Sequence, residues 1–124
     1  LYPTAIGSEP PPAAPIDSRN HWQRVQQGHA GANLTPLLAA NRYGLERAPQ
    51  DPARTHITFY GSSFIADAQG AIVAEAARDA DAILTAEFDL DALASARAAW
   101  GVFRDRRPEL YGALVSHDGA GTRR

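Results

Sequence analysis

The sequence predicts a mixed α/β domain whose sheet is mainly antiparallel or mixed, and three observations carry that expectation. The first is an aromatic and β-branched run, Ile57 to Ile65, followed by the turn Asp67-Ala68-Gln69-Gly70 and a returning apolar run, Ala71 to Ala76. The second is a pair of helix starts, Asp17-Ser18 and Asp89, each standing before apolar residues at helical spacing. The third is composition: 44% of the 124 residues are hydrophobic and 21% are charged, a globular balance. Alanine accounts for 25 residues, so large side chains are few and the core is expected to be thin and marginal by itself.

The elements follow in chain order. Leu1 to Ile6 is a short apolar run broken by Pro3, which suits an edge strand. Gly7 to Pro15 carries Gly7, Pro10, Pro11, Pro12 and Pro15, a loop of polyproline character. A helix is expected from Arg19 to about Ala30, with Trp22, Val25, His29 and Ala32 as its apolar stripe. Gly28 and Gly31 weaken its second half, each by about 1 kcal/mol relative to Ala. Pro36 to Ala40 reads as a short buried strand ending at Asn41-Arg42, and Gly44 to Arg54 as a surface loop. Ile57 to Ile65 is expected to be one strand, paired with Ala71 to Ala76, and Ala82 to Phe88 a third. Asp89 caps a helix through Leu93 to about Ala99, burying Leu90, Leu93 and Trp100. The tail from Phe103 to Arg124 is expected to cross the surface, ordered to about residue 118 and flexible at Gly119-Ala120-Gly121.

Several chemistries are excluded within these residues. There is no cysteine, so a disulfide, a zinc–cysteine site and a thiol nucleophile are all ruled out here. Net charge is −2, from 12 basic and 14 acidic residues intermixed, which makes no electrostatic case for nucleic acid or a membrane. No apolar run reaches membrane-spanning length and no signal-peptide pattern opens the chain. The first residue is Leu1 and there is no methionine, so the chain is expected to be processed or cut from something longer.

The candidate groups that remain form no catalytic constellation. His21, His29, His56 and His117 include no pair at helical metal-binding spacing, so no metal site is expected, and His29 reads as a hydrogen-bonded core residue. Gly61-Ser62-Ser63 lies inside a strand pattern and lacks the glycine elbow of a serine nucleophile; small residues there suggest close approach of another element. Arg104-Asp105-Arg106-Arg107, beside Trp100, Phe103 and Tyr111, fits a solvated face, a subunit contact or an anion clamp.

Separate blocks in the chain carry a resemblance. They are Leu1-Tyr2-Pro3-Thr4-Ala5-Ile6-Gly7-Ser8-Glu9-Pro10, His21-Trp22-Gln23-Arg24, Gly28-His29-Ala30, Asn33 and Ala40-Asn41-Arg42. Thr58-Phe59-Tyr60-Gly61-Ser62-Ser63-Phe64-Ile65 and Trp100-Gly101-Val102-Phe103-Arg104-Asp105-Arg106-Arg107-Pro108 are the most specific, and Gly70 to Ala76 and Phe88 to Asp91 also fit. Together they resemble the nitrilase superfamily of carbon–nitrogen hydrolases, in its N-carbamoylputrescine amidase branch. The Pro10-to-Pro15 loop is richer in proline than that pattern, and Gly44 to Arg54 matches nothing specific in it.

The resemblance implies an α-β-β-α sandwich with subunits paired sheet to sheet, of which residues 1–124 are the C-terminal part of one domain. It implies a Glu-Lys-Cys triad lying upstream of Leu1, no catalytic residue within this chain, no cofactor and no metal. The implied reaction is hydrolysis of N-carbamoylputrescine to putrescine, ammonia and carbon dioxide in polyamine biosynthesis, through a thiolate attack on the carbamoyl carbonyl. A cytoplasmic homo-oligomer acting on a small carbamoyl amine is implied, with no nucleic-acid or membrane partner, and a 124-residue piece inactive alone. Tyr2, Thr4 and Ile6 are expected to line the substrate pocket, and Glu9 to pair with the substrate's alkylammonium. Trp100 to Tyr111 is expected to pack subunits and close the pocket. Two other readings stay open: an amidohydrolase of β-ureido acids, which would need an arginine in place of Glu9, and a non-catalytic assembly module.

Overall fold

The structure is a computed structural model that describes residues 1–14 and 16–117; Pro15 and the expected tail at 119–124 lie outside the described residues. Strand β1 is Tyr2–Thr4, helix α1 Arg19–Asn33, β2 Leu37–Asn41, β3 Tyr43–Arg47 and β4 His56–Tyr60. Then come β5 Phe64–Ala66, β6 Ile72–Glu75, helix α2 Leu90–Trp100 and a 3-10 helix, Pro108–Val115. A four-stranded sheet runs in the order β1-β2-β5-β6, and β3 and β4 form a separate ribbon. β1 lies parallel to β2, and the other pairs are antiparallel. The mixed α/β class expected from sequence therefore holds.

The core lies between α1 and one face of the four-stranded sheet. Trp22 and Ala30 of the helix meet Leu37, Ala39, Phe64 and Ala66 of the strands, with Ile6 and Ile72 partly buried against them. Trp22 stands edge-on to Phe64, ring centroids 5.4 Å apart, a favoured aromatic geometry. The edge position of β1 tolerates Pro3, whose missing N–H costs no ladder bond there. In the β5–β6 hairpin the Asp67 carboxylate accepts from the backbone N–H groups of Gln69 and Ala71, at 2.8 and 3.0 Å, which closes the expected turn.

Six expectations are corrected. The run Ile57 to Ile65 is two strands in two sheets, because the chain turns at Gly61 and Ser62, both at positive φ. A side chain at Gly61 would sit 2.3 Å from the Arg78 carbonyl, so the close approach expected at Gly61-Ser62-Ser63 is real. Gly44 to Arg54 is not wholly loop, since Tyr43–Arg47 pairs with His56–Tyr60. Ala82 to Phe88 forms no strand and no helix. The buried stripe of α1 is turned from the one expected: Val25, His29 and Ala32 are exposed, whereas Gln23 and Ala30 are buried. Gln23 and Gln27 face inward because their amides bond to Glu75, at 2.7 Å, and to the Gly70 carbonyl, at 2.9 Å. His29 is thus not a core residue; its ring lies edge-on to Tyr2 at 5.8 Å. Finally, α2 buries no residue, and Leu90 and Trp100 are 74% and 71% exposed.

Candidate functional site

The loop after β1, Ala5 to Glu9, is built into the body of the protein on two sides. Along β4 it makes a short bridge, with the Ser8 N–H donating to the Thr58 carbonyl at 2.9 Å and the Tyr60 N–H donating to the Ile6 carbonyl at 3.2 Å. The Thr58 N–H donates to the Ser8 hydroxyl at 3.1 Å. Gly7 is required there, since a Cβ would lie 2.5 Å from the Thr58 carbonyl oxygen. Opposite, at the end of β2, the Asn41 side-chain amide accepts from the Ile6 N–H at 2.9 Å and donates to the Ile6 carbonyl at 3.1 Å.

Beside this loop opens a cavity of about 400 Å³ formed by Ser8, Ile16, Asp17, Gly44, Thr58, Phe59, Tyr60, Arg78 and Asp79. The Tyr60 hydroxyl donates to the Ile16 carbonyl at 2.6 Å and accepts from the Ser18 N–H at 3.2 Å, holding the start of α1 against β4. The Arg78 guanidinium stands 5.5 Å from the Tyr60 ring centre and pairs with Asp17 at 2.8 Å. That pairing, aided by the Arg19 N–H, holds the Asp17 carboxyl below the ordinary aspartate range. Asp17, rather than the Ser18 hydroxyl, serves the first turn of α1, accepting from the Arg19 N–H at 3.0 Å.

The four residues expected at the substrate site are not gathered around one cavity. Thr4 and Ile6 meet at Asn41: the Thr4 hydroxyl lies 3.0 Å from the Ala40 carbonyl and 3.3 Å from the Asn41 amide oxygen. Tyr2 faces α1 and lines a separate cavity of about 270 Å³ with His29, Asn33 and Arg97. Glu9 is exposed in the proline-rich loop. Asn41 stands in the Ala40-Asn41-Arg42 block of the resemblance with no role expected of it. The signal was an asparagine at the end of a buried strand, where an amide can serve backbone left without a ladder partner.

The described residues do not assemble a nucleophile with its base. The Ser8 and Ser63 hydroxyls are committed to the backbone N–H groups of Thr58 and Asn41. Ser62 is fully buried and bonds to the Tyr60 carbonyl and Arg19. Among the described residues no cluster of three or more His, Cys, Asp or Glu side chains is placed to hold a metal. Among the described residues these hydroxyls hold the backbone rather than form a reacting group with a base.

Comparison with known proteins gives these residues a context. The sequence profile of the carbon–nitrogen hydrolase family matches residues 9–98. An N-carbamoylputrescine amidase of Arabidopsis thaliana is 58% identical over 119 residues, which is 96% of this chain and 40% of that protein. A citrullinase of Francisella tularensis is 56% identical over 115 residues, 93% of this chain and 38% of that protein. Among solved structures, a carbon–nitrogen hydrolase of Helicobacter pylori superposes with a TM-score of 0.78 at 38% identity, covering 92% of this chain and 39% of the other. The chain thus spans about 40% of the length of the relatives it matches.

Proposed function

The chain belongs to the carbon–nitrogen hydrolase family, and from that membership we propose that it is the substrate-side part of an amidase that hydrolyses N-carbamoylputrescine. The observation that carries the reading is the 58% and 55% identity to N-carbamoylputrescine amidases of Arabidopsis thaliana and Solanum tuberosum, over 96% and 97% of the chain. These residues include no cysteine and no lysine, so the thiolate and the ammonium that stabilises the oxyanion come from outside them, and the resemblance puts the proton-moving carboxylate outside them too. The thiolate adds to the carbamoyl carbonyl and ammonia leaves with a proton from the carboxyl group. Water then cleaves the resulting S-thiocarbamate, restoring the thiol, and the carbamic acid released loses carbon dioxide to free the diamine.

Within this chain, Thr4, Ile6 and the backbone up to Ser8 form the rim next to the nucleophile, Tyr2 stands behind it, and Glu9 receives the distal ammonium. The cavity beside Ser8, which Glu9 does not line, carries Asp17 and Asp79 against Arg78, an acidic balance suited to an alkylammonium. The whole enzyme works as a homo-oligomer, with Trp100 to Tyr111 at a subunit contact. A second reading, hydrolysis of citrulline, is favoured by the 56% match to a citrullinase. Citrulline adds a carboxylate, for which Arg78 is the nearest cation at this cavity, already paired with Asp17.

Ammonia release by the whole protein that carries this chain separates the readings. N-carbamoylputrescine is expected to be the better substrate by kcat/KM; preference for citrulline would move the assignment to the second reading. Glu9→Gln is expected to raise KM for N-carbamoylputrescine by about tenfold, the scale of one lost partly exposed charge contact, and an unchanged KM removes Glu9 from the site.

A further inference from the structure

We propose that Asn41 is a positioning residue, whose side-chain amide clamps the Thr4–Ile6 backbone into the geometry that meets substrate. An asparagine amide has two N–H donors and one acceptor oxygen, and here all are committed to one junction. One N–H donates to the Ile6 carbonyl at 3.1 Å and the other to the Gly61 carbonyl at 3.0 Å. The oxygen accepts from the Ile6 N–H at 2.9 Å and lies 3.3 Å from the Thr4 hydroxyl. With Ile6 the amide makes the paired N–H and C=O bonds that a neighbouring strand would make in an antiparallel ladder. It substitutes for a strand at the point where the four-stranded sheet gives way to the β3–β4 ribbon.

The clamp is itself held. Ser63 accepts from the Asn41 N–H at 2.9 Å and donates to the Asn41 carbonyl at 3.2 Å. The Gly61 N–H donates to the Arg42 carbonyl at 2.9 Å, so the chain beyond the Ala39–Phe64 end of the β2–β5 pairing converges on this residue. Asn41 takes no part in the buried cluster of Trp22, Ala30, Leu37, Ala39, Phe64 and Ala66. Its bonds all serve the loop and its junction, so losing the amide loosens the rim while the core stays packed. A rim held less firmly binds substrate less well in ground state and transition state alike, which raises KM with little change in kcat and makes this amide consequential without its touching the reacting atoms.

This inference rests on the amidase reading for its kinetic part, and the test is arranged to separate the two. Asn41→Asp is isosteric but replaces both donors with an oxygen facing two carbonyls. Asn41→Ser is the second variant, removing the amide without placing a charge, in case the aspartate does not fold. Gln27→Ala serves as a control, because its amide ties α1 to the Gly70 carbonyl away from the rim. In the whole protein, hydrogen exchange in peptides spanning residues 1–9 is expected to speed about tenfold in the Asn41 variants, with peptides over β5 and β6 still protected. KM for N-carbamoylputrescine is expected to rise about tenfold while kcat changes by less than about threefold. Gln27→Ala should move neither. Unchanged exchange at residues 1–9, or an unchanged KM in a folded variant, overturns the proposal. A parent protein that releases no ammonia from N-carbamoylputrescine defeats the amidase reading instead, and the exchange result then decides the clamp by itself.

Discussion

Helices α1 and α2 are held by opposite means. α1 contains Gly28 and Gly31, and its N-cap residue Ser18 makes no side-chain cap bond, so local propensity argues against it. It persists because Trp22 and Ala30 are buried on the sheet and Gln23 and Gln27 bond to it. α2 is the reverse. Asp89 caps it by accepting from the Ala92 N–H at 2.9 Å, and Gly101 closes it in the left-handed conformation. Yet it buries nothing, and the 3-10 helix beyond it leaves Leu114 and Val115 80% and 90% exposed. A cleft of about 460 Å³, lined by Leu34, Ala68, Leu93 and Trp100 among others, separates α2 from α1 and the β5–β6 turn. Capping can define where a helix begins and ends, but an 11-residue helix draws most of its stability from packing. The α1 side of the molecule supplies that packing from within these residues, and the α2 side does not.

The largest expected effect lies on the α1 side. Phe64→Ala should cost about 3–5 kcal/mol, read as a lower midpoint in urea unfolding, because Phe64 is fully buried against Trp22. Gly61→Ala comes next, at about 2 kcal/mol, from a positive φ and a backbone carbonyl occupying the site of the new methyl. At the other extreme, Trp100→Ser with Leu114→Ser should change stability by less than about 0.5 kcal/mol, while lowering self-association in sedimentation. If that pair costs as much as Phe64→Ala, the two regions share one core and the contrast between the helices disappears.

What could be read in advance follows the same division. The β5–β6 hairpin and the limits of α2 were legible because Asp67, Gly70, Asp89 and Gly101 encode their structure locally. The split of Ile57 to Ile65 was not, because the continuous apolar run conceals a turn that depends on Gly61 lying against Arg78. The inner face of α1 was misplaced for a related reason: glutamines score as polar, yet these amides satisfy Glu75 and a turn carbonyl across the core. At the candidate site, the resemblance to known hydrolases pointed to Tyr2, Thr4, Ile6 and Glu9, of which Thr4 and Ile6 meet at the Asn41 amide. That amide was not legible, since a side chain replacing a strand leaves no periodic signal.

On the proposed function these residues form the rim of a carbamoyl hydrolase whose reacting groups lie outside them. The most direct test compares ammonia release from N-carbamoylputrescine by this 124-residue chain and by the whole protein that carries it. Turnover is expected from the whole protein and none from the chain alone. Turnover by the purified chain would contradict it, because that would place a nucleophile among residues that contain no cysteine and whose serines at the rim are bound to backbone.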